Sequence, residues 1–420
     1  MTVSEPQRSM LVVGGGIVGI CLARELADAG CTVTVLERDT GEPRGSTRFA
    51  PGFVGVFNDE PLLTELARVS AEIFDEIGAP SQRSSVGPGP GPGPGPGPGS
   101  RRAAFERTGG LEIATSAPGA REVARRVDAS RAADLPAQLL GPSDLPASVA
   151  ALVDLDRVEG VGLFPADGSA DVPALLACAR REAIARGVRI VEGREVVRIS
   201  RDRGTVRVTS ADGSSYSGDD VVLAGGIWGP PLMRRIEGTE IDLPLVPVAH
   251  PYVYSGPSTG LAPGPFLRWP EHHVYARVHE DRLGIGTYDH APQPVDQQQL
   301  GGGAALPWDP AFSTAIEAAQ QVLHERARFT AQRRVDGVFA MSPDNLPFVG
   351  AHPEVEGVWI AQGLWVTHAA GAARMLAEAM TAGAEIPARL VPGRFAGDDP
   401  SALRAAALRM YRDIYASGSD

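Results

Sequence analysis

Between residues 10 and 36 the chain moves from one hydrophobic rhythm to another and back. MLVV (10–13) is a continuous apolar run, as in a strand buried on both faces. IVGICLARELAD (17–28) spaces its apolar residues as a helix does, and TVTVL (32–36) is a second apolar run. Strand, helix and strand within thirty residues predict a βαβ unit and so parallel strands. VPALLACARREAIAR (172–186) again has helical spacing, and GVRIVEGREVVRIS (187–200) reads as a strand running into another. Residues 204–224 alternate as hairpin strands about a turn near Asp212 and Gly213. Residues 245–290 are rich in strand formers and predict an antiparallel sheet. Residues 357–380 predict a strand, a turn at Gly363 and an Ala-rich helix starting near Thr367. The pattern is that of an α/β (α+β) chain, in which a Rossmann-like domain is built from three segments beside an antiparallel-sheet domain.

The turns of the first domain carry the chemistry. Gly14, Gly16 and Gly19 have G-x-G-x-x-G spacing: one for the sharp turn, one for close approach of a pyrophosphate, one for helix–strand packing. The following helix presents unpaired N–H groups and the positive end of its dipole to phosphate. Glu37 closes the second strand where a ribose hydroxyl would be bound. Together these predict an ADP-containing dinucleotide. Ala224, Gly225, Gly226 and Trp228 form a second glycine-rich approach at a strand end, and Gly363 forms a third.

Composition narrows the partners. The chain has 420 residues and a net charge of −12, which argues against nucleic acid and anionic membranes. No apolar run is long enough to span a bilayer, and MTVSEPQRSM lacks the features of a signal peptide. Cys21, Cys31 and Cys178 are odd in number, lack metal-ligand spacing and suit a reducing cytoplasm, so no metal is expected. All 39 basic residues are arginine. A lysine Schiff base is thereby excluded, as is a lysine ammonium beside a redox cofactor. The strict Gly-Pro alternation at 87–99 cannot join a helix or sheet interior. It predicts an exposed loop, with a lid over the active site as the alternative reading.

Eight segments, in order, resemble the amino-acid oxidase superfamily of FAD flavoproteins, and most closely the FAD half of dimethylglycine oxidase and dehydrogenase. They are GGGIVG (14–19), GSTRFAPGFVG (45–55), GGLEIATS (109–116), VVLAGGIWG (221–229), LPLVPVAHPYV (243–253), YARVHEDRLGIGTYDHAPQPVD (275–296), SPDNLPFVG (342–350) and LWVTHAAG (364–371). The resemblance implies an FAD domain from residues 1–84, 155–232 and 337–394, and a substrate domain from 101–154 and 233–336 that roofs the flavin. The Gly-Pro loop (85–100) and a C-terminal extension (395–420) stand outside both. The cofactor residues it implies are Gly14, Gly16, Ile17, Val18, Gly19, Glu37, Arg38, Ser46, Thr47, Arg48, Phe49, Val196, Ala224, Gly225, Trp228, Gly363, Leu364, Val366 and Thr367.

Two departures from the family matter. Where dimethylglycine oxidase carries a histidine that holds FAD covalently, this chain has Phe49, so FAD is expected without a covalent link. The folate-using relatives continue into a tetrahydrofolate domain whereas this sequence stops at Asp420, so no folate domain is expected.

His250 and Tyr275 match an active-site histidine and tyrosine of the family. Amine oxidation needs a neutral amine, and a histidine can take or relay its proton. Strand alternation places Arg277 on the face of Tyr275, where its guanidinium suits a carboxylate or a structural ion pair. Tyr288 and His290 share that sheet. His368, at a helix start beside the flavin, is expected to support the reduced cofactor or assist oxygen. His272 and His273 read as surface-turn residues. The expected reaction is cytoplasmic oxidation of the C–N bond of a glycine-type or N-methylated amine to an imine, with molecular oxygen reduced to hydrogen peroxide. Alternatives are the same oxidation on a glycyl or N-methyl group of a larger cationic natural product such as an aminoglycoside, and electron delivery to an electron-transfer protein. A flavin-bearing subunit without catalysis and an NAD-dependent dehydrogenase complete the set.

Overall fold

The computed structural model describes residues 7–79 and 103–415. The Gly-Pro run at 87–99, and with it the lid reading, lies outside the described residues.

Ser9–Val13 sits at the centre of a six-stranded sheet. Its order is Phe348–Ala351, Val358–Gln362, Asp220–Leu223, Ser9–Val13, Thr32–Leu36 and Arg189–Val191. All neighbours are parallel except the edge strand Phe348–Ala351. Burial on both faces explains the unbroken apolar runs. Met10, Val12, Val33, Val35 and Val222 face one core, formed with helices Ile17–Asp28, Pro61–Gly78, Val172–Ala185 and Val366–Ala382. Leu11, Val13, Leu36, Val221 and Ile360 face a second core, under the meander Val196–Asp202, Thr205–Ser210 and Ser215–Gly218. Chain segments near residues 10, 190, 220 and 350 thus meet in one sheet, as the periodicity predicted.

The second sheet has nine strands, antiparallel apart from Phe266–Trp269 against Gly110–Ala114. Val246–Tyr254, Arg282–Thr287, Val274–His279 and Phe266–Trp269 form its middle, and Arg333–Met341 lies along Val246–Tyr254. Its odd–even alternation separates two environments. Val274, Ala276, Leu283 and Ile285 enter an apolar core, while Tyr275, Tyr252 and His250 point towards the first sheet. LGIGT gives those rings their space. A Cβ on Gly284 would stand 2.3 Å from the Tyr252 hydroxyl, and one on Gly286 2.5 Å from the Tyr275 ring.

Two features differ from the expected division. The expected cofactor segment 155–232 begins too early, since Gly160–Phe164 pairs with Gly110–Ala114 in the antiparallel sheet. Arg333–Met341 straddles the expected boundary at 337 and pairs wholly with that sheet. The C-terminal extension contains a helix, Pro400–Arg412, started by Asp399, whose carboxylate accepts from the Ser401 and Ala402 N–H groups. Ala407 and Tyr411 on this helix are buried among side chains of Val246–Tyr254 and Arg333–Met341. Among the described residues no helix is long and apolar enough to cross a membrane.

Candidate active site

A cavity of about 680 Å³ runs from the glycine turn to the underside of the antiparallel sheet. At its first end Gly14 has φ +112°, and a Cβ there would lie 2.4 Å from the Ala224 carbonyl oxygen. Gly19 packs as tightly: its Cβ would meet the Gly14 oxygen at 2.0 Å, so helix and strand approach backbone to backbone. Gly16 caps the helix with no side-chain acceptor, leaving its first N–H groups towards the cavity. The Ile17 N–H donates a long bond, 3.3 Å, to the Thr47 hydroxyl. The Glu37 carboxylate accepts from the Gly15 N–H at 2.6 Å and the Asp39 N–H at 2.8 Å, which holds it on the cavity wall. Arg38 lays its guanidinium 4.1 Å from the centre of the Trp228 ring, and its Nη2 is buried without a partner. This orphaned donor, the uncapped helix end and the poised carboxylate are the set that an adenosine ribose and a pyrophosphate would satisfy.

Val196, Ala224, Gly225, Gly363, Leu364, Val366 and Thr367 continue the wall, with Ser46 and Phe49 from the short helix Ser46–Phe49. Ser46 donates to the Val338 carbonyl at 2.8 Å, which ties its helix to the antiparallel sheet, and Thr367 donates to the Phe53 carbonyl at 3.0 Å. Helix Val366–Ala382 also starts without a side-chain cap, so the positive end of its dipole faces the middle of the cavity. His368 lines this stretch, and burial pushes its imidazole down to about 4. At neutral pH it is uncharged and offers no counter-charge.

At the far end His250 is 3% exposed. Its Nε2 meets the Tyr275 hydroxyl at 2.5 Å and its Nδ1 the Tyr411 hydroxyl at 2.6 Å. Tyr288 lies 4.6 Å from the His250 ring and Phe53 4.9 Å from that of Tyr275. Burial, with a smaller contribution from His290, holds the His250 imidazole well below its ordinary value, so it is a neutral base. Burial raises the Tyr275 hydroxyl, which therefore keeps its proton.

The structure brings most of the sequence-named residues onto this one cavity and leaves three off it. Gly19 acts through packing. Arg48 turns away to pair with Glu42 and is 37% exposed. Arg277 does share the face of Tyr275, but its Nη1 donates to the carbonyls of Gly52 at 2.9 Å and Ala170 at 3.1 Å. It clasps the turn at Gly52 to the short strand Gly168–Ala170 and is not presented to a substrate carboxylate. Arg268, paired across the sheet with Tyr275, does line the cavity, and its Nε, like that of Arg277, is buried without a partner. Arg268 belongs to a buried charge cluster with Asp167 at 3.1 Å and Glu112 at 3.3 Å, and Arg126 holds Glu112 at 2.9 Å. Burial raises the Glu112 carboxyl, but Arg126 and Arg268 outweigh it and hold it low, while burial pushes Asp167 up to about 6. Sequence reasoning also missed Tyr411 and Tyr415. Their signal was the i, i+4 spacing of aromatics at the end of an otherwise Arg/Ala-rich helix. Among the described residues no cluster of His, Cys, Asp or Glu is placed to hold a metal ion.

The family described as DAO, FAD dependent oxidoreductase, matches residues 9–379. Mitochondrial sarcosine dehydrogenase of Mus musculus is 25% identical over 368 residues, covering 84% of this chain and 37% of that protein. Glycine oxidase of Geobacillus kaustophilus is 25% identical over 363 residues, covering 84% of this chain and 86% of that protein. Among solved structures, L-proline dehydrogenase from P. horikoshii has the same fold. Its TM-score is 0.76 at 23% identity, covering 93% of this chain and 98% of that one. The chain spans less than half the length of the mitochondrial dehydrogenases it matches.

Proposed function

The chain belongs to the DAO family of FAD-dependent oxidoreductases, and from that membership we propose that it oxidises the C–N bond of a glycine-type or N-methylated amine to an imine, with oxygen as the acceptor. The observation that carries this reading is the buried His250–Tyr275 pair, at the far end of the same cavity that opens on the glycine turn. The turn, Glu37 and Arg38 would hold the ADP half of FAD. Phe49, Gly363, Leu364, Val366 and Thr367 would flank the flavin. When bound, FAD supplies the two-electron acceptor that the side chains themselves lack.

What the chain adds is positioning and proton control. A carbon next to nitrogen gives up electrons only when the nitrogen lone pair is free, so a bound ammonium must first lose its proton. Tyr275 presents a hydroxyl to that nitrogen, and neutral His250 accepts the tyrosine proton through Nε2. Tyr288, Phe339 and Trp365 wall the site with rings. Arg268 takes the place first expected for Arg277 as the group offered to a substrate carboxylate. The net charge of −12 favours a second substrate class, a glycyl or N-methyl group on a larger cationic natural product, whereas Asp59, Glu122 and Asp413 on the cavity wall are already paired with Arg125, Arg126 and Arg412.

Anaerobic mixing with glycine, sarcosine, dimethylglycine and a glycylated aminoglycoside tests this. At least one is expected to bleach the flavin absorbance near 450 nm. Admission of air should restore the colour and release hydrogen peroxide. A yellow protein that none of these amines bleaches would sink the proposal, and slow recovery in air would move the acceptor to an electron-transfer protein.

Attachment of the cofactor is separately testable. Phe49 lines the cavity but offers no nucleophile, and Cys21 and Cys31 are buried away from it. After acid precipitation the yellow colour is expected wholly in the supernatant. Colour retained in the pellet would mean a covalent link elsewhere.

A further inference from the structure

The hydrogen bonds of His250 continue past the residues that face the amine. Tyr411, from the C-terminal helix Pro400–Arg412, meets His250 Nδ1 at 2.6 Å and His290 Nε2 at 2.9 Å. His290 Nδ1 in turn lies 3.0 Å from the Ala291 carbonyl oxygen. That carbonyl settles the direction of every bond behind it. A carbonyl only accepts, so His290 Nδ1 carries hydrogen and, in the neutral ring, Nε2 is an acceptor. Tyr411 therefore donates to His290, accepts from the Nδ1–H of His250, and leaves His250 Nε2 to accept from Tyr275. The four groups form one directed chain from a fully buried phenol to a half-buried imidazole beside exposed Asp289.

We propose that Tyr411 and His290 extend the Tyr275–His250 pair into a proton relay that carries the amine's proton from the buried end of the cavity to the protein surface. The proposal rests on the function proposed above. As the ammonium N–H bond breaks, its proton joins the Tyr275 oxygen, and the Tyr275 proton moves to His250 Nε2. The Nδ1 proton of His250 moves to the Tyr411 oxygen, and the Tyr411 proton to His290 Nε2. The amine ends neutral and His290 ends as an imidazolium, which releases its proton to solvent. The Ala249 carbonyl, 3.1 Å from the Tyr411 oxygen, receives that hydroxyl whenever His290 is charged and has itself become a donor. Burial, more than any charge, keeps both imidazoles neutral at rest. The other titratable groups facing the chain are Tyr252, Tyr288 and Tyr415 around Tyr275, Asp289 beside His290, and Asp336 near Tyr411. Burial pushes Asp336 up to about 7, so it changes charge near neutrality, and its contribution has to be separated by a variant.

Tyr411 and His290 act through His250 and are positioning residues in this scheme, so activity alone does not test them. Tyr411→Phe keeps the ring that packs the helix and removes only the link. In the FAD-loaded variant the amine-driven reduction is expected to slow about tenfold at pH 7, less than loss of the base itself. The inflection of His290 should vanish from its pH profile. His290→Gln should reproduce both effects, the double variant should add nothing to either, and Asp336→Asn should retain the His290 inflection. Independently of any amine, ¹⁵N spectra of the resting holoenzyme should show the Nδ1–H tautomer on both histidines, and Tyr411→Phe should disturb both. Unchanged tautomers and an unchanged pH profile in Tyr411→Phe, with His250→Ala still impaired, overturn the relay and leave the role of His250 standing. A wild-type protein that no amine reduces overturns both.

Discussion

His250→Ala is expected to reduce the rate of amine-dependent flavin bleaching by about 10²-fold or more, the range typical of a lost general base, while the protein stays yellow. The imidazole is held by two phenols, at 2.5 and 2.6 Å, in a pocket where it is 3% exposed. Alanine removes the ring that accepts from Tyr275 and leaves that buried hydroxyl without its partner, at about 1–3 kcal/mol, while Tyr411 keeps His290 and the Ala249 carbonyl. Part of the effect will therefore appear as lower thermal stability. The rate should be measured well below the melting temperature and at matched flavin content. Cofactor retention is expected because the glycine turn and Glu37 lie at the other end of the cavity. The wild-type pH profile carries a second signature. Burial lowers the His250 pKa, so the neutral base survives as pH falls through the ordinary histidine value, and no loss of rate near pH 6.5 should be traceable to it. Stopped-flow absorbance decides: reduction at the wild-type rate in His250→Ala removes His250 from the mechanism.

The second large effect is at the opposite end. Gly14→Ala should yield protein without flavin, or none that is folded. Alanine at φ +112° is strained by about 1–3 kcal/mol. Its Cβ would also stand 2.4 Å from the Ala224 oxygen and 2.9 Å from the Ala224 carbonyl carbon, both backbone atoms of the adjoining segment. The turn must open or strand Asp220–Leu223 must shift, and either change spoils the surface meant for pyrophosphate. Gly30→Ala is the matched control. Gly30 has φ +86° with nothing within 4 Å of its Cβ, so that substitution carries strain without collision. It should lower the melting temperature and keep the colour. The ratio of absorbance near 450 nm to that at 280 nm reads both variants, and a fully loaded Gly14→Ala protein would show that the turn yields more easily than its geometry implies.

The parts of this architecture visible in the sequence are those whose determinants are local. A glycine turn between an apolar strand and a helix is specified by six consecutive residues. The central strands Ser9–Val13, Thr32–Leu36, Asp220–Leu223 and Val358–Gln362 reveal themselves by apolar runs, whereas the edge strand Phe348–Ala351 does not. Partner choice was less visible. GVGLF (160–164) reads like any buried strand, and only its register with Gly110–Ala114 assigns it to the antiparallel sheet. Arg277 shows the limit of alternation. Period 2 gave its face correctly, but the reach of a long side chain took the guanidinium to the carbonyls of Gly52 and Ala170, both remote in sequence. Arg48 was drawn off by Glu42 in the same way. Tyr411 was least legible of all, since its contacts depend on where the C-terminal helix docks, and no periodicity states that.

The assembly of the parallel sheet from distant pieces has a consequence for how the molecule is made. Ser9–Val13 is translated roughly 200 residues before its neighbour Asp220–Leu223 and roughly 350 before Val358–Gln362. At about 5–20 residues per second, the ribosome takes roughly 20–70 s to deliver the last of them. Throughout that interval the nascent chain carries an unpaired parallel edge flanked by apolar surface, a species prone to aggregate. Flavin has a complete cradle to enter only after that, and by mass action it then draws late folders into the native state. Riboflavin supply during expression should therefore govern how much of this polypeptide escapes inclusion bodies.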